Sequence, residues 1–246
     1  MPNQYCRIAV LILIFFFISI SCQSLSFREE EIVRGEEAHY LIKPDTILDD
    51  IAQGRTDVFS PQITTPQPAL SQSLNVVKWS QEDYLSIVEA LHRFVWHESI
   101  SDWHIRHILF YVKCEDIGMG PQLASFILYK VVEDNQHTSR LEHQISIDPA
   151  NNSVSWSETE YRPNLVVQNP VELSKYKVSI TDALQIAEEN GGNKIRLEVD
   201  NECFLRAQLI NSANYWQVSY VKVLDLYILN IDALTGKFHV INKGDK

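Results

Sequence analysis

The strongest constraint on how this chain can fold is a pattern that occurs twice. From Ser80 onward, Tyr84, Ile87, Val88, Leu91, Phe94 and Val95 fall three and four residues apart, which places them on one face of a helix. Ser80 followed by Asp83 supplies the start: an N-cap with an acidic residue in the first turn. The period then shortens to two. "IRHILFYVKCEDI", "PQLASFILYKVVE" and "RLEHQISIDPANNSVSWSETEY" are rich in β-branched and aromatic residues and are separated by turn-forming clusters. One helix followed by an antiparallel meander is the predicted unit.

The same order returns after "RPNLVVQNPVELSKYK". Ser179 and Asp182 repeat the capping pair, Ile180, Leu184 and Ala187 form a narrower apolar face, and Gly191-Gly192 ends the predicted helix. "KIRLEVDNECFLRAQLI", "YWQVSYVKV" and "LYILNIDALTGKFHVI" read as strands. The copies superpose at the helix starts, at first strands carrying Cys114 and Cys203, and at final hairpins carrying Asp148 and Asp232. An internal duplication follows. The expected fold is α+β, with two tandem units over residues 76–162 and 163–246, each one helix packed on a small antiparallel β-sheet.

The first residues obey different rules. Arg7 and the amino terminus precede "IAVLILIFFFISI", residues 8–20, and then "SCQS". This is a positively charged start, an apolar run and a small-residue cleavage point, the layout of a signal peptide over residues 1–21. The run is shorter than the roughly 20 apolar residues of a spanning helix. "SISC" resembles the lipobox of bacterial lipoproteins, with Ser19 where that family most often has Leu. The resemblance implies that Cys22 becomes the first mature residue and carries palmitate-type acyl lipid, holding the protein at the extracytoplasmic face of a cell membrane or outer membrane. Cleavage after Ser21 by ordinary signal peptidase gives the alternative, a secreted protein.

The chain carries a net charge of −11, and removal of residues 1–21 takes Arg7 and no acidic residue. Such a field repels phosphate backbones, so nucleic acid is excluded as a partner, and membrane contact falls to the N-terminal lipid. Residues 22–75 combine an acidic stretch with the uncharged "SPQITTPQPALSQS", and read as a tether and low-complexity stalk. Of four cysteines, Cys6 leaves with the signal and Cys22 is the tether. Cys114 and Cys203 remain, either as one disulfide of an oxidising compartment or as two separately buried thiols.

The hairpins have a local explanation. Asp232 can bond the backbone of its own turn, Thr235 does so more weakly, and Gly236 accepts positive φ. Asn152 stands at the matching place after Asp148. Over residues 179–242 the chain also resembles PepSY domains. The matching positions are Ala183, Ile186 and Ala187 in the helix and Asp232, Ala233, Thr235 and Gly236 in "DALTGK". Over the first unit the likeness rests on "IDPANNSV" alone. The resemblance implies binding or regulation, with an extracytoplasmic peptidase or a peptide as partner, and it supplies no catalytic residue.

The remaining chemistry is sparse, and no enzyme is expected. His97, His104 and His107 lie close in sequence, but no His-Glu-x-x-His helix accompanies them. They form the basis of an alternative reading as a small metal- or ligand-binding protein. No cofactor or metal is expected: there is no Gly-x-Ser-x-Gly elbow and no phosphate-cradling glycine loop. Outward-facing members of Trp156, Tyr161, Tyr215, Trp216, Tyr220 and Tyr227 would suit a peptide surface or strand addition at a sheet edge. A structural envelope-assembly subunit is the other alternative.

Overall fold

Both helix starts are closed by reciprocal caps. Asp83 N donates to Ser80 Oγ (3.2 Å) and Ser80 N to Asp83 Oδ2 (2.7 Å); Ser179 and Asp182 repeat this at 3.2 and 3.0 Å. These contacts come from a computed structural model, which describes residues 31–55, 57–61, 78–118, 121–133, 138–162, 170–210 and 214–243. The elements are β1 (Glu31–Leu41), α1 (Ile47–Ala52), β2 (Ser60–Pro61), α2 (Gln81–Trp96), β3 (His104–Lys113), β4 (Leu123–Glu133), β5 (Thr138–Asp148) and β6 (Ser153–Arg162). They continue with α3 (Ile180–Ala187), α4 (Asn193–Glu198), β7 (Phe204–Ile210), β8 (Tyr215–Val221), β9 (Asp225–Asp232) and β10 (Phe238–Lys243). Signal residues 1–21 and Cys22 lie outside the described residues.

The fold is α+β, and its strands form one ten-stranded sheet, an outcome that the repeated pattern of the sequence left open. Its order is β10-β9-β8-β7-β3-β4-β5-β6-β1-β2, and every pair with a defined register is antiparallel. Each half is a four-stranded meander, and the two meet through their first strands, with Leu109 opposite Gln208 and Phe110 opposite Ala207. Residues Ile32 to Lys246 accordingly make one unit. Two half-sheets would each leave β3 or β7 as an unpaired edge, and pairing them removes both edges.

One face of the sheet holds the core. Phe110, Ala207, Val218 and Leu229 are successive cross-strand neighbours and are fully buried. Tyr84 of α2 packs edge-on to Phe110, Trp216 Nε1 donates to Val178 O just before α3, and α3 touches β8 and β9, so both helices cover this face. The neighbouring residues on the opposite face are polar: Gln208 Nε2 donates to Gln217 Oε1 (2.6 Å), and Gln217 Nε2 to Asn230 Oδ1 (3.3 Å). This is the inward-apolar, outward-polar alternation of an antiparallel sheet.

Two local expectations are corrected. Residues 31–61 are not a stalk: β1 lies beside β6, Ile42, Ile47 and Phe59 join the core, and α1 contacts α2. In "EEAHYL" the half-buried Ala38 and Tyr40 alternate with exposed Glu37, His39 and Leu41, so a charged segment has one apolar face. The uncharged stretch 62–77 lies outside the described residues. The segment "NKIRLE", expected to begin a strand, is α4 instead. Gly191 turns at φ 116°, Gly192 sits so close to Tyr220 that an added Cβ would meet its hydroxyl at 2.0 Å, and the chain turns into another helix. Arg196 Nη2 secures that helix to Glu188 Oε2 at 2.9 Å.

Candidate functional site

The hairpin after β9 is a docking device for α3. Asp232 Oδ1 accepts from Leu234 N (2.9 Å) and Thr235 N (2.8 Å), and Gly236, at φ 73°, donates to Asp232 O (2.8 Å). The backbone amides hold the Asp232 carboxyl below the usual aspartate range. With the turn fixed in this way, Ala233 O accepts from both Lys177 N and Val178 N, immediately before the Ser179 cap. In the first half Asp148 accepts from Asn151 N at 3.0 Å, and Asn152, at φ 54°, accepts from Ile42 N at 2.9 Å. Asp232, Thr235 and Gly236 thus position a helix, while Asp148 and Asn152 anchor the end of β1.

The most elaborate polar group lies beneath the last turns of α2. His92 Nδ1 is 3.0 Å from Glu98 O, His92 Nε2 is 3.0 Å from His143 Nδ1, and His143 Nε2 is 3.0 Å from Glu158 Oε2. Both rings are almost wholly buried. Trp96 and Trp103 stack on His143 with ring centroids 3.7 and 3.9 Å away. Their indoles are tied to carboxylates: Trp96 Nε1 donates to Glu158 Oε2 and Trp103 Nε1 to Glu98 Oε2, both at 2.8 Å.

A proton count describes this chain. Three gaps separate Glu98 O, His92, His143 and Glu158, and each gap needs one proton, while two neutral imidazoles supply only two. Closing all three gaps therefore takes one proton more than two neutral imidazoles carry.

Burial lowers the His92 pKa, against the opposing effect of the Glu98 carbonyl, and burial likewise lowers that of His107. Because the unfolded chain binds these protons more readily, stability is full above the unfolded histidine pKa of about 6.5 and declines as pH falls below it. Unfolding free energies from urea titration are expected to drop between pH 7.5 and 5, by up to about 1.4 kcal/mol per pH unit for each group. The His107→Gln variant should show a shallower decline.

The sequence singled out other histidines. His97 ends α2 in a left-handed conformation and is exposed, His104 opens β3 against the Tyr129 ring, and His107 follows a bulge on β3. Among the described residues no group of three His, Cys, Asp or Glu side chains could hold a metal ion. His92 and His143 were missed, yet each occupies an inward position: His92 four residues after Val88, and His143 two before Ile145. Of the aromatics, Trp216, Tyr220 and Tyr227 are core, while Trp156, Tyr161 and Tyr215 are half-buried.

Cys114 and Cys203 form a disulfide, with Cα atoms 5.3 Å apart and Cys114 N donating to Cys203 O at 2.9 Å. They are not equivalent positions in two copies. Cys114 follows β3 and Cys203 precedes β7, so antiparallel pairing brings them to one end of the seam between the halves.

The outer edges of the sheet differ. One is the two-residue β2, ending in Pro61, which has no N–H to offer. The other is β10, with Phe238 and Ile241 exposed at 43% and 51% and a bulge between Val240 and Asn242. A cavity of about 480 Å³ lies between the starts of α2 and α3, lined by Trp79, Pro121, Leu184 and Glu188 among others.

No family model matches this chain, and no curated protein matches it. The PepSY resemblance therefore rests on its seven residues. Among solved structures, a candidate lipoprotein from Clostridium difficile 630 aligns at 15% identity over 68% of this chain and 92% of that one, with a TM-score of 0.38. A likeness of that size transfers neither fold nor activity. Among the described residues no helix is long and apolar enough to cross a membrane.

Proposed function

We propose that this chain is an exported protein, tethered by lipid on Cys22, that binds an extended segment of a protein partner by strand addition along β10. The observation that carries this reading is the asymmetry of the sheet edges. A partner strand at β2 would meet two residues, one of them a proline, whereas Phe238 to Val240 offer a regular stretch with the apolar side chains of Phe238 and Ile241 exposed. The PepSY resemblance lies over the half that ends in β10 and implies the class of partner, an extracytoplasmic peptidase restrained by the contact. The net charge of −11 disfavours a nucleic-acid partner.

A photocrosslinking residue at His239, in the envelope of the native host, tests this. The expected adduct contains a peptidase, and the Phe238→Lys, Ile241→Lys variant loses it while keeping its urea midpoint, because both side chains are exposed. Adducts between identical chains alone would make the protein an assembly subunit, and no adduct would refute the edge as a binding site. The tether has its own readout: Cys22→Ser should move the protein from the membrane fraction to the soluble fraction.

A further inference from the structure

Between α1 and α2 lies a second cavity of about 480 Å³, within the roughly 300–1,000 Å³ range of small-molecule sites. Its apolar lining is Ile51, Val58, Phe59, Ala90 and Phe94. The aromatic part is rigid, because Phe59 and Phe94 pack at 5.4 Å and both meet Tyr40 of β1. The lining side chains come from three different segments, the end of α1, the residues leading into β2 and the outer face of α2.

Two guanidinium groups stand at the mouth, beside Glu89, which also lines the cavity. Arg55 and Arg93 line it, with half or more of each side chain exposed. Each contacts one carboxylate, Asp50 for Arg55 and Glu89 for Arg93, through a single nitrogen of a group with five N–H donors. The Glu89 carboxylate also accepts from Ser99 Oγ at 3.1 Å and from Ile100 N at 2.9 Å. Its bonding is spread over the turn after α2 rather than spent on Arg93. His97 adds a further polar group at the same mouth.

An apolar pocket with guanidinium groups at its opening matches an amphiphile of opposite construction, a hydrocarbon chain ending in an anion. We infer that the α1–α2 cavity binds a long-chain carboxylate, with the hydrocarbon against Phe59, Ala90 and Phe94 and the head group on Arg93 and Arg55. Each buried methylene strengthens binding, and the planar guanidinium suits the two carboxylate oxygens. The inference is independent of strand addition at β10, since none of these residues belongs to that edge.

Titration calorimetry of the full Cys22→Ser chain, which carries no lipid of its own, tests the assignment. Sodium dodecanoate below its micelle concentration should bind at one site, and dodecyltrimethylammonium should bind at least about tenfold more weakly, because it cannot accept from the guanidinium N–H groups that remain open on Arg55 and Arg93. Arg93→Glu should weaken dodecanoate roughly five- to tenfold without affecting the fold, its side chain being exposed. Ala90→Trp, which fills the cavity, should abolish binding. Equal affinity for the cationic amphiphile, or no loss in Arg93→Glu, would overturn the inference. So would the absence of dodecanoate binding in the unsubstituted chain.

Discussion

The His143→Ala variant is expected to unfold with a stability about 3–5 kcal/mol below that of the native chain, the usual cost of truncating a large, fully buried ring and leaving a cavity. The substitution deletes the ring on which Trp96 and Trp103 stack and leaves Glu158 and His92 Nε2 facing a void. Glu158→Gln separates the chain of hydrogen bonds from packing, since the volume is kept. Glu158 Oε2 accepts from Trp96 and lies 3.0 Å from His143. An amide oxygen there would require a third proton on the two histidines without its counter-charge, and an amide nitrogen would confront the Trp96 N–H. One hydrogen bond is lost either way, and the expected cost is about 1–3 kcal/mol. Urea unfolding at pH 7.5 measures both. A loss below about 1 kcal/mol for His143→Ala would show that the chain of hydrogen bonds is not formed in solution.

The second large effect belongs to the disulfide. Cys114 and Cys203 are 89 residues apart in sequence, so their bond closes a long loop in the unfolded chain. The chain-entropy account assigns about 4–5 kcal/mol to a loop of that length. The paired Cys114→Ala, Cys203→Ala variant is expected to lose an amount approaching this, and a reductant should bring the native protein to a similar urea midpoint. The bond sits at the end of the β3–β7 pair, the seam through which the two halves share a sheet. Amide exchange in β3 and β7 is therefore expected to rise more than exchange in β4, β5, β8 or β9. An unchanged urea midpoint after complete reduction would show that the sheet seam needs no covalent closure.

Both predictions concern features that the sequence makes only half visible. His92 stands in the apolar register of α2, and His143 shares the inward parity of Ile145 and Ile147. Each could have been read as buried, but nothing local shows that two residues 51 apart would meet. His97, His104 and His107 are neighbours in sequence, and that proximity is a poor guide to proximity in space. The cysteines are similar: pairing and separate burial were both open until the antiparallel seam brought their Cα atoms to 5.3 Å.

What the sequence by itself determined is what interactions within a few residues determine: the caps at Ser80 and Ser179, the turns at Asp148–Asn152 and Asp232–Gly236, and the apolar sides of the helices and most strands. These depend on hydrogen bonds and periodicities spanning a turn or less, so a single chain carries them openly. Tertiary structure alone decided the joining of β3 to β7 into one sheet, the recruitment of charged β1 to its far side, the turn of "NKIRLE" into α4 beside Tyr220, and the burial of two histidines and a glutamate under α2. Each arises from contacts between segments distant in sequence. There, pairing a strand edge or filling a space against the core outweighs the local preference, as packing commonly does over propensity.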